Sequence, residues 1–186
     1  MSNTSNTKEQ AFEALIEKAL VGSTIEERKE QGITAKDVDA QQPSADQYYW
    51  GVPSDFKYKQ GEDWAIDTRR LMSFLHATQQ GELDKYAGRT ALERAIPERI
   101  SKDIETFGII KVLRMGIALD NIKLKLWYPK PSPADAKVSQ ELYAQNQFSI
   151  TRQQTYSKFN PGNEIDMVLY VNGLPLFTFE WKNPWT

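Results

Sequence analysis

Residues 163–182 contain the pattern that most constrains the fold of this chain. Two runs rich in β-branched and aromatic residues flank the pair Asn172-Gly173, and this dipeptide strongly favours a tight hairpin turn. Side chains alternate between the two faces of a strand, so a slip of one residue moves all of them to the other face. The length of the loop therefore decides which side chains of the hairpin are buried.

Two registers are open to this hairpin. A two-residue loop, Asn172-Gly173, mixes charged and apolar side chains on both faces, and its regular continuation places Asp166 opposite Phe179. A three-residue loop that includes Leu174 makes one face wholly apolar, and burial favours that register. Its apolar pairs are Val171 with Pro175, Leu169 with Phe177, Met167 with Phe179 and Ile165 with Trp181.

The opposite face of the three-residue register carries charged groups. It brings Asp166 directly across from Glu180, and Lys182 follows on the same face. Cross-strand Cβ atoms lie about 4.5–5.5 Å apart, so two carboxylates there repel each other unless they are protonated or bridged by a cation. Mg²⁺ suits two carboxylates with waters and a substrate phosphate, and such a cluster can hydrolyse phosphodiesters. The alternative is that these residues, with Glu164, form the solvated face of an exposed hairpin.

The rest of the chain predicts helices followed by strands, which is typical of the α+β or mixed α/β class. Residues 1–7 are polar and are expected to be disordered, and residues 21–60 read as a long ordered connection. Helices are expected at 8–20, 62–79, 90–107 and 134–144. The first helix should bury Phe12, Leu15, Ile16, Ala19 and Leu20. Strands are expected at 109–114, 122–128, 148–153, 164–171 and 175–183.

Composition excludes several kinds of site. The 186 residues include no Cys and one His, which excludes disulfides, thiolate zinc sites, a cysteine nucleophile and any site that needs two imidazoles. The net charge of -2 argues against a globally basic nucleic-acid binder but leaves room for a local basic groove. There is no apolar run near the roughly 18 residues of a membrane span and no signal-peptide pattern. Cytoplasmic residence is the expectation.

The chain also resembles a known family. Ile165 to Leu176, followed by Phe179-Glu-Trp-Lys-Asn183, looks like the nuclease hallmark of the restriction (R) subunit of type I restriction-modification enzymes. Further matches lie upstream and extend the resemblance over nearly the whole chain, from about residue 8. They include Asp55-Phe56, Asp67-Thr68, Val112-Leu-Arg-Met-Gly116, Tyr143-Ala-Gln-Asn-Gln-Phe148 and Arg152-Gln153.

The resemblance implies a PD-(D/E)xK restriction-endonuclease-like fold, a mixed sheet flanked by helices, with Asp166, Glu180 and Lys182 as catalytic residues. Asp166 and Glu180 are then expected to hold Mg²⁺ with help from the backbone carbonyl of Trp181, and Lys182 to position or activate the attacking water. An acidic residue of the first helix often completes such sites, and Glu13 is the better candidate, with Glu9 second; a helix-face charge is the alternative.

The remaining expectations concern DNA contacts, drawn from the resemblance for Gln153 and from side-chain charge for two lysines, and the partners that the resemblance implies. Gln153 stands where the family has a polar strand residue near the site, while Lys123 and Lys125 could line a DNA-facing edge or simply form a solvated strand face. The implied partners are double-stranded DNA and the modification (M) and specificity (S) subunits, which recognise and modify the site.

The sequence departs from the family in two respects. Trp181 replaces the usual Leu, which should alter packing more than chemistry. The family continues beyond the lysine with a supporting Gln and Tyr and an ATP-driven translocase, whereas this chain has no P-loop motif. We therefore expect residues 8–186 to be an endonuclease domain that is truncated relative to the family, with ATP bound only by the translocase region. The alternative function is a catalytically silent docking or DNA-holding module.

Overall fold

A computed structural model describes residues 3–34, 48–51, 65–86, 91–156 and 163–181. Their contacts divide the chain into two compact units. Unit 1 contains Met1–Ser54, Phe148–Leu169 and Phe177–Thr186, and unit 2 contains Asp55–Gln147 and Tyr170–Leu176. Within the described ranges, every helix is too short or too polar to cross a membrane.

Helices and a mixed sheet confirm the predicted α+β class. The helices are α1 (Asn3–Val21), α2 (Ile25–Glu30), α3 (Thr68–Leu83), α4 (Leu92–Phe107), α5 (Ile109–Met115) and α6 (Lys137–Ala144). The strands are β1 (Tyr49–Trp50), β2 (Ile117–Leu119), β3 (Ile122–Leu124), β4 (Phe148–Thr155), β5 (Glu164–Val171) and β6 (Leu174–Phe179). Four strands form a sheet in the order β1-β4-β5-β6, with β1 parallel to β4, and β2 and β3 form an antiparallel pair.

Helix α1 of unit 1 buries an unexpected face. It packs against β4, and the buried side chains among its residues 9–21 are those of Glu13 and Glu17, one turn apart. Phe12 and Leu15 of the predicted apolar stripe are instead 47% and 64% exposed. The prediction of a buried apolar face was therefore wrong, because β4 offers α1 a buried charged partner rather than an apolar surface. The helix begins at Asn3.

The region predicted as a connection contains helix α2. Thr24 caps it and forms a reciprocal capping box with Glu27, in which each side chain accepts a hydrogen bond from the other residue's backbone N–H. This Thr-x-x-Glu signal was present in the sequence. Residues 35–47 and 52–64 of the predicted connection lie outside the described residues.

Unit 2 is built around an apolar core contributed mainly by α3, α4 and the β2-β3 pair. Its fully buried members include Phe74, Leu75, Ile96, Ile100 and Leu126. Helix α4 confirms the helix predicted for 90–107, and it accommodates Pro97.

Helix α3 differs from its prediction at both ends. It begins at Thr68 after the N-cap Asp67, whose side chain accepts a hydrogen bond from the Arg70 amide at 3.0 Å. It continues through Gly81, the predicted stop, to Leu83, with a non-helical residue at Gln79.

Residues 109–114 were predicted as a strand and form helix α5 instead. Val112 and Leu113 are buried and Ile109 is half-buried, whereas Ile110 is 49% exposed. The spacing i, i+3, i+4 of the inward side chains is that of a helix face. The predicted strand 122–128 shortens to β3, although burial still alternates from Ile122 to Tyr128.

The β5-β6 hairpin has the two-residue loop, so the favoured three-residue register was wrong. Strand β5 ends at Val171, β6 begins at Leu174, and both turn residues have left-handed φ values, 50° at Asn172 and 80° at Gly173. Positive φ at both positions is the signature of a type I′ turn. Phe177 and Phe179, which the other register would bury, are 55% and 39% exposed.

Contacts within unit 2 explain this choice. The buried Asn172 side chain accepts from the Gln147 amide at 2.7 Å and donates to the Leu126 carbonyl at 2.9 Å. The Gly173 carbonyl accepts from the Asp67 amide at 2.8 Å. The turn is therefore fixed by distant backbone groups, and these determine the register in place of apolar pairing.

Candidate functional site

Asp166 of β5 lies against the residue pair that follows β6. Its Oδ2 accepts a hydrogen bond from the Trp181 backbone amide at 2.7 Å. That amide belongs to the peptide bond between Glu180 and Trp181, so the Asp166 carboxylate lies within one residue of Glu180. The sequence prediction that these residues are neighbours rested on the wrong register, yet the structure brings Asp166 to this peptide.

The residues of the predicted catalytic set differ in their exposure to solvent. Asp166 is half-buried and Glu180 is exposed. Lys182 lies outside the described residues, so its predicted role remains a prediction.

Trp181 lies between two other aromatic side chains of unit 1. Its ring packs edge-on against Phe12 of α1, with centroids 5.7 Å apart, and stacks on Phe179 at 5.9 Å. These contacts fit the packing role expected for the substitution of Leu by Trp. They also bring the part of α1 that contains Glu13 to the residue that binds Asp166.

Glu13, the predicted acidic residue of the first helix, is buried beside Arg152 of β4. Arg152 Nε donates to Glu13 Oε2 at 3.3 Å. Burial raises the pKa of Glu13, the charge and hydrogen bond of Arg152 oppose that shift, and the negative charges of Asp166 and Glu9 add to it. Because Glu13 is buried, it is not a solvated charge on the helix face, and its role at a metal site stays a prediction.

Glu13 and Arg152 belong to a larger buried cluster that the sequence interpretation missed. Arg152 Nη1 also contacts Glu17 Oε2 at 2.9 Å and Glu26 Oε2 at 3.2 Å. Arg28 pairs with the other oxygen of Glu17 and lies 4.1 Å from the centroid of the Trp50 ring. The available signal was the pair of glutamates one turn apart on α1, but their partner Arg152 is 135 residues from Glu17 in sequence. We call Glu13, Glu17, Glu26, Arg28 and Arg152 the buried charge cluster.

Gln153, the predicted polar strand residue, is exposed and has a left-handed φ of 53°. Its neighbours Arg152 and Gln154 are both buried, so β4 departs from strict alternation at this point. A left-handed residue in a strand marks a local irregularity, and such irregularities often lie near functional sites.

Lys123 and Lys125 lie in unit 2. Both side chains are exposed, and they border an open groove of about 490 Å³ together with Arg99 and Lys111. Val112, Ile117 and Leu124 form part of the groove wall. Asp103 also lines the groove and pairs with Arg99 at 2.9 Å, and the contact of the two lysines with DNA stays a prediction.

The residues predicted to hold a metal ion offer donor atoms of the type that hard divalent cations prefer. Two carboxylates and a backbone carbonyl, those of Asp166, Glu180 and Trp181, are all oxygen donors. In the described part of the chain, no three histidine, cysteine, aspartate or glutamate side chains are grouped as a metal site.

Comparisons with known proteins identify the family of the chain. The family model described as Type I restriction enzyme R protein N terminus matches residues 75–186, which is more than half of the sequence. The match includes Arg152, Asp166, Glu180 and Lys182, while Glu13 precedes it. A search of curated proteins and a search of solved structures each found no match. The chain thus belongs to the family of type I restriction enzyme R protein N-terminal domains.

Proposed function

We propose that this chain is the Mg²⁺-dependent endonuclease domain of a type I restriction enzyme R subunit and hydrolyses phosphodiester bonds of double-stranded DNA. The observation that carries the proposal is the hydrogen bond from the Trp181 amide to Asp166, which brings an aspartate to a Glu-x-Lys segment. Membership of the R protein family supports the same conclusion.

Three residues would hold the metal ion. Asp166 and Glu180 would supply carboxylate oxygens and Trp181 its carbonyl, with Glu13 as an additional acidic residue. When bound, Mg²⁺ supplies Lewis-acid polarisation of the scissile phosphate and lowers the pKa of a coordinated water.

The side chains of the chain perform the remaining steps. Lys182 would donate a hydrogen bond to the attacking water or neutralise the charge that develops on the phosphate oxygens. Asp166 is held by the Trp181 amide, so its carboxylate has a defined orientation before substrate binds. Preorganised groups of this kind lower the barrier because they need no rearrangement during the reaction.

In this proposal, Lys123, Lys125 and Gln153 contact DNA, and the M and S subunits supply site recognition. Contacts from lysine to phosphate position a protein on DNA without reading its sequence. The domain alone would therefore cut without sequence preference, and specificity would come from the assembly.

Nicking of supercoiled plasmid DNA by the purified chain tests the proposal. We expect nicking in Mg²⁺ that is abolished by EDTA. Asp166→Asn and Lys182→Ala should each lower the rate by about 100-fold or more, the usual minimum for loss of an acid-base or charge-stabilising group.

Glu164→Gln is the matched control, since Glu164 is an exposed carboxylate two residues before Asp166 on the same strand. It should nick at the wild-type rate. Equal nicking by wild type and Asp166→Asn would refute the assignment of this site, and a wild-type chain that binds DNA but never nicks it would favour the silent DNA-holding module.

A further inference from the structure

Arg152 occupies a central position in the buried charge cluster. Its side chain is 3% exposed, and it contacts Glu13 and Glu17, which are 5% and 2% exposed, and the more exposed Glu26. Burial of this many charges is costly unless each is paired and hydrogen-bonded. Stability alone gives a weak reason for such an arrangement, because buried ion pairs often contribute little net stability.

The atoms that Arg152 uses distinguish its partners. Nε donates to Glu13, whereas Nη1 contacts both Glu17 and Glu26. Its bond to Glu13 engages Oε2, and Oε1 is the oxygen that Arg152 does not engage. One planar guanidinium thus fixes the orientation of the Glu13 carboxylate relative to the carboxylates of Glu17 and Glu26.

Further contacts relate Glu13 to Asp166 within unit 1. Strand β4, which bears Arg152, is the sheet neighbour of β5, which bears Asp166. Phe12, the residue before Glu13, packs on Trp181, whose amide binds Asp166. Helix α1, strand β4 and Trp181 therefore connect Glu13 with Asp166, and the negative charge of Asp166 contributes to the raised pKa of Glu13.

We propose that Arg152 is a positioning residue for the metal site: it orients the Glu13 carboxylate so that Glu13 acts with Asp166 on the cation. This inference rests on the proposed function, since it assigns a role towards the same ion. Residues that orient a ligand without touching the metal commonly change metal affinity about 10–100-fold when they are replaced.

Lysine cannot replace arginine in this position. Its ammonium is a single point charge, whereas the guanidinium presents separate N–H groups on a rigid plane. Arg152→Lys keeps the buried positive charge and loses the simultaneous contacts to Glu13 and to Glu17. Arg152→Lys therefore tests whether the orientation of the Glu13 carboxylate matters, and it leaves the net charge of the cluster unchanged.

The experiment measures divalent cation affinity of the full chain by calorimetric titration with Mg²⁺ and by electron paramagnetic resonance with Mn²⁺. Arg152→Lys should raise the Kd for both ions by about 10–100-fold. Arg28→Lys is the matched control, because Arg28 is equally buried and pairs with Glu17, and no ion pair joins it to Glu13 among the described contacts. It should lower stability and leave the Kd at the wild-type value.

A second pair of variants serves if Arg152→Lys does not fold. Glu26 is 58% exposed and contacts Arg152, so Glu26→Gln loosens Arg152 without leaving a fully buried charge unpaired. Its neighbour Glu27 pairs with Lys18, and Glu27→Gln preserves the capping box. Glu26→Gln should weaken cation binding while Glu27→Gln, with the same change in charge, should not.

The outcomes separate this inference from the proposed function. If Asp166→Asn loses cation binding while folded Arg152→Lys retains the wild-type Kd, the metal site stands and the role of Arg152 is refuted. Equal weakening by the variants at Arg152, Arg28, Glu26 and Glu27 also refutes it, because that pattern reflects a general loosening of this part of unit 1 and no particular role of Arg152. If the wild-type chain binds neither ion, the proposed function fails and this inference with it.

Discussion

Charged side chains at buried positions give unit 1 its chemical character. Glu17 accepts hydrogen bonds from Arg152 and from the Ile25 amide and pairs with Arg28, so its carboxylate is fully used within the fold. Glu13 is the member of the cluster whose pKa is raised by burial against the opposing charge of Arg152. One carboxylate therefore serves to hold the cluster together and the other is placed near Asp166.

Asp67 of unit 2 allows a test of how burial changes the pKa of a carboxyl group. Burial raises the pKa of Asp67 above the usual 3.8, and the amide and guanidinium of Arg70 oppose the shift. The folded state therefore binds the proton more tightly than the unfolded state. The stabilisation from the proton bound to Asp67 is fully present below pH 3.8 and is lost as the pH rises through the raised pKa. We expect the wild-type chain to gain stability relative to Asp67→Asn as the pH falls through this window.

Urea denaturation of both proteins at a series of pH values measures this difference. Asparagine is an equally good N-cap. The pH dependence of the difference therefore reports the protonation of Asp67 and not a loss of helix capping. A difference in unfolding free energy that stays constant with pH would show that Asp67 titrates alike in the folded and unfolded chains.

The residues of the site were predictable only in part. Asp166 and Glu180 stand out because they flank a hairpin signal, and the family resemblance then supplies Glu13. Arg152 could not be found in this way, because its partners on α1 and α2 are far from it in sequence and pair with it only after folding. Local pattern reveals neighbours on one element, whereas a buried ion cluster depends on how elements pack.

Helix α5 and the β5-β6 turn show why local pattern fails for whole elements. Residues 109–114 contain three β-branched side chains, which suggests a strand, but short apolar runs do not distinguish strand from helix. Their burial follows Ile109, Val112 and Leu113. The turn was mispredicted because apolar pairing favoured one register, whereas contacts of Asn172 and Gly173 with residues of unit 2 selected the other.

Gly173→Ala tests whether the turn is fixed in this manner. A Cβ at Gly173 would lie 2.2 Å from the Asp67 carbonyl oxygen and 2.9 Å from the Leu71 amide nitrogen, and the residue has φ +80°. We expect a loss of at least about 1–3 kcal/mol in unfolding free energy, the usual cost of a strained backbone conformation, measured by urea denaturation.

Gly81→Ala is the control for the same substitution. Nothing lies within 4 Å of a Cβ at this position in α3, and alanine favours a helix over glycine by about 0.8–1 kcal/mol. The control should therefore be neutral or stabilising. A Gly173→Ala chain as stable as wild type would mean that the turn relaxes without cost.

At the scale of the molecule, neither unit is a continuous stretch of chain. Unit 1 takes three segments and unit 2 takes two, and β5 and β6 each contribute residues to both. A strand that belongs to two units cannot unfold in one of them without losing hydrogen bonds that continue into the other. We therefore expect the units to unfold together even though each has its own contacts.

Hydrogen exchange measures that coupling. Gly173→Ala, a change within unit 2, should lower the protection of β4 amides in unit 1 as much as that of α4 amides in unit 2. In Gly81→Ala, protection in both units should be maintained. Loss of protection confined to α4 and its neighbours would show that the units unfold independently.

The shared hairpin also determines when the protein can fold during synthesis. A ribosome delivers residues 55–147 early, but unit 2 still lacks Tyr170–Leu176, and unit 1 still lacks Phe177–Thr186. Neither unit has its full set of contacts until the second strand of the hairpin has left the exit tunnel. The nascent chain therefore carries an incomplete sheet until both strands of the hairpin have been synthesised.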